Sequence, residues 1–490
     1  MDGLPPVFLE RMSELLGDEF PAFLASYTQP ARAGLRLNRL RIANCELRIA
    51  SELQVSSWEK VPWCESGYLV PPGTEADLAR HPYHAAGVYY LQEPSAMAPA
   101  EILDPQPGET VLDLCAAPGG KSTHIAALMG NRGLLVANDT HGRRARALAM
   151  NLERCGVTCA VVLNETPQRL AARWPGGFDR VLVDAPCSGQ GMFRKSKPAR
   201  AEWQPGRVRT DAARQADILN AAAQLARPGG LVVYSTCTFE PDENEAVVAR
   251  FLQHHAGFDL EVVEPADGFA PGRPEWTSDG NPALIKTVRL WPHLSPGEGH
   301  FVARLRREGI PSFKSKFLGD PAQAAYTLTP ALPLQGGGGR SADPPAASLF
   351  QAFCDEYMQK PGSWQKLGFL TQAGAELYLQ PPGTPELSGL RVVRWGWWVG
   401  TLKGKVFVPG HALGMGLAAA GVRQTLALAP DDPRLAAYLR GESLRIPGLP
   451  GWVLVTVDGF PLGWGKRAGD MLKNRRPPGL ALSQLTVTNP

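Results

Sequence analysis

The sequence has no apolar run approaching the ~20 residues needed to cross a bilayer. Its first residues, MDGLPPVFLERM, lack the basic and apolar regions of a secretory signal. A cytoplasmic location with no membrane partner is expected. Cysteine is sparse: eight in 490 residues are too few for a disulfide framework, and a reducing compartment keeps them as thiols. Cys155 and Cys159 form a lone C-x3-C with no second Cys/His pair nearby, so they read as core or helix-end thiols and no metal is expected. The chain also lacks a large excess of either charge, its formal net charge being +3. The balance is uneven, however: residues 391–490 carry thirteen Lys and Arg against five Asp and Glu. A basic tail on a slightly acidic body points to a polyanion partner such as nucleic acid.

What is there has a clear order. Residues 1–95 open with a helix over Pro6 to Leu16, then GLRLNRLRI at 34–42, which alternates apolar and basic residues with a strand's period of two. That spacing predicts a ribbon presenting Arg36 and Arg41 to phosphate. From 96 to 306 the pattern becomes strand, Gly-rich turn, helix, repeated. Strands are predicted at 110–114, 133–138, 160–163, 180–184 and 231–236, and helices over 124–129, 143–155 and 211–226. Strands alternating with helices at this spacing give an α/β fold with a parallel, doubly wound sheet. Residues 307–348, with Pro321, Pro330, Pro333, the run Gly336 to Gly339 and Pro344-Pro345, read as a linker. Residues 349–490 read as mainly β, with turns at Pro409-Gly410, Pro450-Gly451 and Asp458-Gly459 and with Trp395, Trp397, Trp398, Trp452 and Trp464 among them.

Two short strings carry the chemistry. DAPCSG at 184–189 and STCT at 235–238 each put a cysteine, Cys187 and Cys237, just past an apolar run that reads as a buried strand. Open α/β sheets bind ligands at the carboxyl ends of their strands. Two thiols delivered to that edge beside Asp184 point to covalent chemistry. Upstream, Asp113-Leu-Cys-Ala-Ala-Pro-Gly-Gly-Lys121 follows a strand and opens a helix. It is neither G-x-G-x-x-G nor G-x4-G-K-[ST], which argues against a triphosphate cradle. Its small residues still let backbone approach a ligand, and Asp139 ends the next strand, where a Rossmann-type site holds a ribose diol. Together they indicate an adenosine-containing cofactor. Asp242, Glu243 and Glu245 follow Pro241 and read as first-turn acids of a helix.

DLCAAPGGK, DAPCSG and STCT, in this order and spacing, closely resemble the RNA cytosine-5 methyltransferases of the Sun/Nop family. GMFRK at 191–195, YYLQEPSAM at 89–97 and GFPLGWGKRAG at 459–469 resemble its bacterial RsmF subgroup, which acts on small-subunit ribosomal RNA. The resemblance implies a Rossmann-like class I methyltransferase core with a mostly parallel seven-stranded sheet, a small α+β N-terminal domain and a PUA-like C-terminal region. It implies S-adenosyl-L-methionine, held by Cys115, Ala116, Ala117, Pro118, Gly119, Gly120, Lys121, Asp139 and Asp184. Where the family usually has an acid near the third strand's end, this chain has Asn164 within Val162-Leu-Asn-Glu-Thr166, and the adenine contact falls to one of 164–166, with Asn164 the candidate. The family places the nucleophile at Cys237 and gives Cys187 a part in product release. Asp184 would hydrogen-bond or protonate N3 of the base, which requires a carboxyl pKa raised by burial. Lys195 beside the pocket would favour the thiolate.

The implied partner is 16S rRNA, within the small subunit, bound by a monomer. Arg194, Lys195, Lys197 and Arg200 follow the first cysteine loop and are candidates for phosphate contact, as are Arg36 and the tail residues Lys466, Arg467 and Lys473 near Trp464. The same motifs would serve cytosine-5 chemistry on tRNA. An RNA-binding ribosome-assembly factor with incidental activity is the reading from another class. Intact Cys187, Cys237, Asp184 and Asp139 weigh against it.

Overall fold

Apolar runs flanked by Gly-rich turns become neighbouring parallel strands because each is buried on both faces and needs helices on either side. The computed structural model describes residues 3–42, 49, 52–310, 340–341 and 343–480. Near the N-terminus, β1 (Gly34–Leu37), β2 (Lys60–Val61), β3 (Cys64–Leu69) and β4 (Tyr89–Leu91) form a sheet of order β2-β3-β1-β4. The central part supplies β5 (Thr110–Asp113), β6 (Leu134–Asn138), β7 (Ala160–Leu163), β8 (Phe178–Asp184) and β9 (Ala226–Thr236), then β10 (Phe258–Leu260), β11 (Phe269–Pro271), β12 (Val288–Leu290) and β13 (His300–Arg307). Seven of these make the doubly wound core in the order β7-β6-β5-β8-β9-β13-β12, with β13 antiparallel to both neighbours.

The C-terminal part carries β14 (Arg340–Ser341), β15 (Phe369–Ala373), β16 (Glu376–Gln380), β17 (Val392–Arg394), β18 (Trp397–Lys403) and β19 (Val406–Pro409). A second sheet follows, built of β20 (Thr425–Leu428), β21 (Leu444–Arg445), β22 (Gly451–Val457), β23 (Phe460–Ala468) and β24 (Met471–Asn474). One strand of this region leaves it: β17 pairs antiparallel with β7 and so extends the central sheet, as β11 does at the other edge. Buried Glu165, just past β7, holds it there by accepting from the Arg391 amide at 2.7 Å. The sheet thus exceeds the seven strands expected, with ten in all.

The helix over Pro6–Leu16 falls where the sequence places it, while the other expected helices start earlier, at Gly120, Gly142 and Pro205. Pro344 and Pro345, expected in the linker, open the helix Pro344–Tyr357, whose first turn needs no N–H from them. Residues 311–339, including Pro321, Pro330, Pro333 and Gly336 to Gly339, lie outside the described residues. The ribbon expected over 34–42 is a four-residue strand followed by a helical turn, Arg39–Ile42. Arg36 and Arg41 do not face solvent. Arg36 is 1 % exposed and donates to Gln92 Oε1, Gly120 O and Thr123 Oγ1, which ties β1 to the helix Gly120–Leu128. Arg41 packs against Gly156.

The N-terminal sheet and the last sheet share one apolar core, in which Leu35, Tyr83 and Tyr89 meet Leu435, Val455 and Phe460. Tyr83 also donates to Asp458 Oδ2 at 2.6 Å. The tail is therefore packed on the body through the N-terminal domain. Among the described residues no helix is long and apolar enough to cross a membrane.

Candidate active site

Register brings the two cysteines together. In the parallel pair β8–β9, Asp184 stands opposite Ser235, so Cys187 and Cys237 leave adjacent strands three and two residues later. Their sulfurs lie 3.3 Å apart, both as free thiols. A cavity of about 380 Å³ opens over this edge, walled by Cys115, Ala117, Asp139, Asp184, Cys187 and Cys237. These six residues all follow or end strands at their carboxyl edge, as the topology requires, while Arg214, Asp217 and Ile218 of the helix Pro205–Leu225 also wall the cavity.

The loop 115–121 folds back over β6, with the Ala116 amide donating to Asn138 O at 2.8 Å. Gly119 has φ +112° and caps the helix Gly120–Leu128, a backbone conformation that strains any residue with a side chain, and a Cβ there would also sit tightly against Leu148 at 3.1 Å. Asp139 is buried and accepts from the His141 amide at 2.8 Å. Asp113, below the loop, accepts from Ser122 at 2.6 Å, and burial pushes its carboxyl up to about 7. Not every expected member lines the cavity. Asn164 turns its amide to Asp139 O at 2.7 Å, and Thr166, Pro167 and Gln168 form the wall there instead. Pro118 is exposed, and Asn151 donates to its carbonyl.

Asp184 departs from the sequence reading. Burial alone would raise its carboxyl, but Lys121 Nζ bonds Oδ2 at 2.8 Å and Ser235 Oγ bonds Oδ1 at 2.9 Å. These partners hold it below its usual range, so it is ionised and cannot protonate a base. Lys121 is shifted the other way: burial lowers it, but Asp184 more than compensates and the ammonium stays charged. Lys121 is also the cation that faces Cys237, whereas Lys195 is exposed and its charge acts on Glu298.

The cysteines are not equivalent. The Cys187 thiol is pushed well above its usual range, first by its hydrogen bond to Cys237 and then by burial. It therefore keeps its proton, in a contact through which either sulfur can donate. Cys115 is raised too, by burial and by Asp113, and is an inert thiol of the cavity wall.

A polar staple behind the cysteines went unread in the sequence. Glu243 accepts from the Ser188 amide at 2.9 Å, from Ser188 Oγ and from Gln215 Nε2 at 2.8 Å. Gln215 also donates to Pro186 O at 3.0 Å, and Ser188 Oγ lies 2.8 Å from Thr238 Oγ1. The loops carrying Cys187 and Cys237 are thereby fixed to each other. Gly191 closes the contact: its amide donates to Cys237 O at 2.9 Å, and a Cβ there would meet that oxygen at 2.8 Å. Glu243 thus does more than begin a helix, and burial pushes its carboxyl up to about 7. Glu245 pairs with buried Arg289, whose Nε donates at 2.6 Å. The only signal for these roles was the pairing of Ser188 with Thr238 at matching places after the cysteines.

The expected RNA contacts divide. Arg36 is internal, as described above. Arg194 is buried against Glu298 at 3.0 Å and donates to Gly297 O, so it braces the loop rather than meeting phosphate. Arg200 donates to Phe193 O and Arg194 O. Lys195 and Lys197 are exposed. In the last sheet Lys466 and Lys473 are exposed and directly opposite on β23 and β24, an arrangement of like charges that costs stability unless an anion sits across it. Lys466 also lies over the Trp452 ring at 5.4 Å. Arg467 donates to Leu449 O at 3.2 Å, and Trp464 is a core residue bonded to Gly410 O. Cys155 and Cys159 are buried core thiols.

The chain matches four family models: the N-terminal domain of 16S rRNA methyltransferase RsmF over residues 4–94, 16S rRNA methyltransferase RsmB/F over 100–306, the RsmF rRNA methyltransferase first C-terminal domain over 352–417, and the methyltransferase RsmF PUA domain over 425–482. It is 32 % identical to a ribosomal RNA small subunit methyltransferase F of Serratia proteamaculans, across 97 % of this chain and 96 % of that one. A protein of the same description from Shigella boydii is 32 % identical over 96 % and 95 % of the two chains. Among solved structures, a methyltransferase homolog protein from Pyrococcus horikoshii superposes with a TM-score of 0.54 at 28 % identity, covering 62 % of this chain and 96 % of that one.

Proposed function

The chain belongs to the 16S rRNA methyltransferase RsmB/F family, and on that premise we propose that it methylates C5 of cytosine in small-subunit rRNA, with Cys237 as the attacking thiolate. The observation that carries this reading is the pair of thiols 3.3 Å apart beside the Lys121–Asp184 ion pair. S-adenosyl-L-methionine would be held by the loop 115–121 with Asp139 and Asp184, and it supplies an electrophilic methyl group. Buried Asp139 at the end of β6 and the close backbone of 115–119 fit a ribose and an amino-acid moiety.

C5 of cytosine is a weak nucleophile. Addition of the Cys237 thiolate to C6 makes C5 enamine-like and able to attack an electrophile. Cys187 donates its S–H to Cys237 and so favours the thiolate before addition. After transfer the C5 proton must pass to a base as the Cys237–C6 bond breaks and returns the Cys237 thiolate; Cys187, beside that bond, serves as the base once it has released its own proton to solvent. The ionised Asp184 accepts from the base, while the Lys121 ammonium offsets charge that builds on the ring during addition. This replaces proton donation by Asp184 with donation by Lys121. The target base must be extruded from folded RNA to reach this cavity. Lys195, Lys197, Lys466 and Lys473 are the exposed cations suited to the surrounding phosphates.

The test uses purified protein, methyl-tritiated S-adenosyl-L-methionine and either small ribosomal subunits or bulk tRNA, followed by nucleoside separation. Label in 5-methylcytidine from the subunits supports the reading. Label in another nucleoside, or only in tRNA, overturns it.

A further inference from the structure

The imidazole of His300 belongs to none of the steps above, yet it sits among the groups that perform them. In the antiparallel pair β9–β13, Val302 stands opposite Ser235. Ser235 points at Asp184, and His300, two residues before Val302, projects from the same face. Lys121 and Asp184 are the charges that act on the ring. His300 is 5 % exposed.

Its tautomer follows from its partners. Glu93 accepts from the amides of Ser95 at 3.0 Å, Ala96 at 2.9 Å and Glu298 at 2.8 Å. It also accepts the one hydroxyl proton of Ser95. Ser95 Oγ, having given that proton away, accepts from His300 Nδ1 at 2.9 Å. Nδ1 therefore carries the hydrogen, and Nε2 presents a bare lone pair. That Nε2 is buried with no protein partner. An unmet buried acceptor is destabilising, so the site favours a donor that meets it. Lys121, whose charge acts on the ring, is already engaged by Asp184.

We propose that His300 is a specificity-determining residue, whose Nε2 accepts an N–H from the exocyclic amino group of the extruded cytosine. The chain Glu93–Ser95–His300 fixes the lone pair before the base arrives. Cytosine offers a donor there. Uracil offers an acceptor oxygen, which would face a second lone pair and be rejected. The inference rests on the cytosine-C5 reading of the site.

The experiment compares one RNA substrate carrying either cytosine or pyrimidin-2-one, which lacks the amino group, at the methylated position. His300→Phe should shrink the wild type's preference for cytosine in kcat/KM by about tenfold, the scale of one buried hydrogen bond. His300→Gln, which retains an acceptor, should keep most of the preference. Cofactor binding and thermal unfolding of each variant report on the fold. A cytosine preference unchanged in His300→Phe, whatever its overall rate, overturns the proposal. A wild type that makes no 5-methylcytidine overturns the underlying reading instead.

Discussion

Cys187 Sγ and Cys237 Sγ stand 3.3 Å apart on loops that leave adjacent parallel strands, with Glu243 and Gln215 behind them as a common anchor. The contact and burial push the Cys187 thiol up, so in the proposed mechanism Cys187 keeps its proton while Cys237 attacks.

The two single substitutions should fail in opposite ways. Cys237→Ala should give no methylated product and no protein–RNA adduct. Cys187→Ala should accumulate an adduct that survives a denaturing gel, because addition proceeds and release does not. An adduct in Cys237→Ala, or its absence in an otherwise folded Cys187→Ala, would contradict the assignment.

Lys121 and Asp184 act as a unit, so Lys121→Met and Asp184→Asn should each lower kcat by about 100-fold or more. Because Asp184 is held below the usual carboxylate range, wild-type kcat/KM should show no acidic limb between pH 6 and pH 8 that disappears in Asp184→Asn. Such a limb would mean that Asp184 works as a proton donor after all.

Glu243 gives the stability curve a definite sign. Its folded pKa of about 7 lies above the ordinary value of 4.5, so the folded state holds the proton more tightly. That contribution is complete below pH 4.5 and is lost as pH rises through 7, on the order of 3 kcal/mol. Urea unfolding of the protein alone should show stability falling over this window, and Glu243→Gln should flatten the slope. An equal slope in the variant would assign the titration to another group, with Asp113 the first to test.

Arg36 and the Lys466/Lys473 pair should separate structure from RNA affinity. Arg36→Ala removes three buried hydrogen bonds and should cost about 3 kcal/mol of stability, with the salt dependence of RNA binding unchanged. Lys466→Ala with Lys473→Ala should leave unfolding unchanged or slightly improved. It should weaken RNA binding and reduce the slope of log K against log salt by about one to two. The reverse pattern would restore Arg36 to the RNA surface.

Much of the central domain was legible because its strands are short apolar runs between Gly-rich turns, and burial on both faces leaves them little choice. The loop 115–121, Asp139 and both cysteines follow from those strand ends. What the sequence hid depends on partners far along the chain. Period-two alternation around Arg36 cannot say that another domain's helix covers that face. The ionisation of Asp184 is decided by Lys121, 63 residues away. Val392–Arg394 is too short to declare itself a strand, and it is recruited by groups far along the chain, among them Glu165, the Asn164 amide and Glu153. Lys466 and Lys473 look like two more members of a basic tail until the register of β23 and β24 sets them side by side.

The most direct measurement is bisulfite sequencing of total RNA from a strain lacking this protein, complemented with the wild type or with Cys237→Ala. The expected result is one or more 16S rRNA cytosines that lose protection in the deletion, regain it with the wild type and stay unprotected with Cys237→Ala. Protection that survives the deletion, returns with Cys237→Ala, or changes only in tRNA would contradict a Cys237-dependent cytosine-C5 methyltransferase of the small subunit.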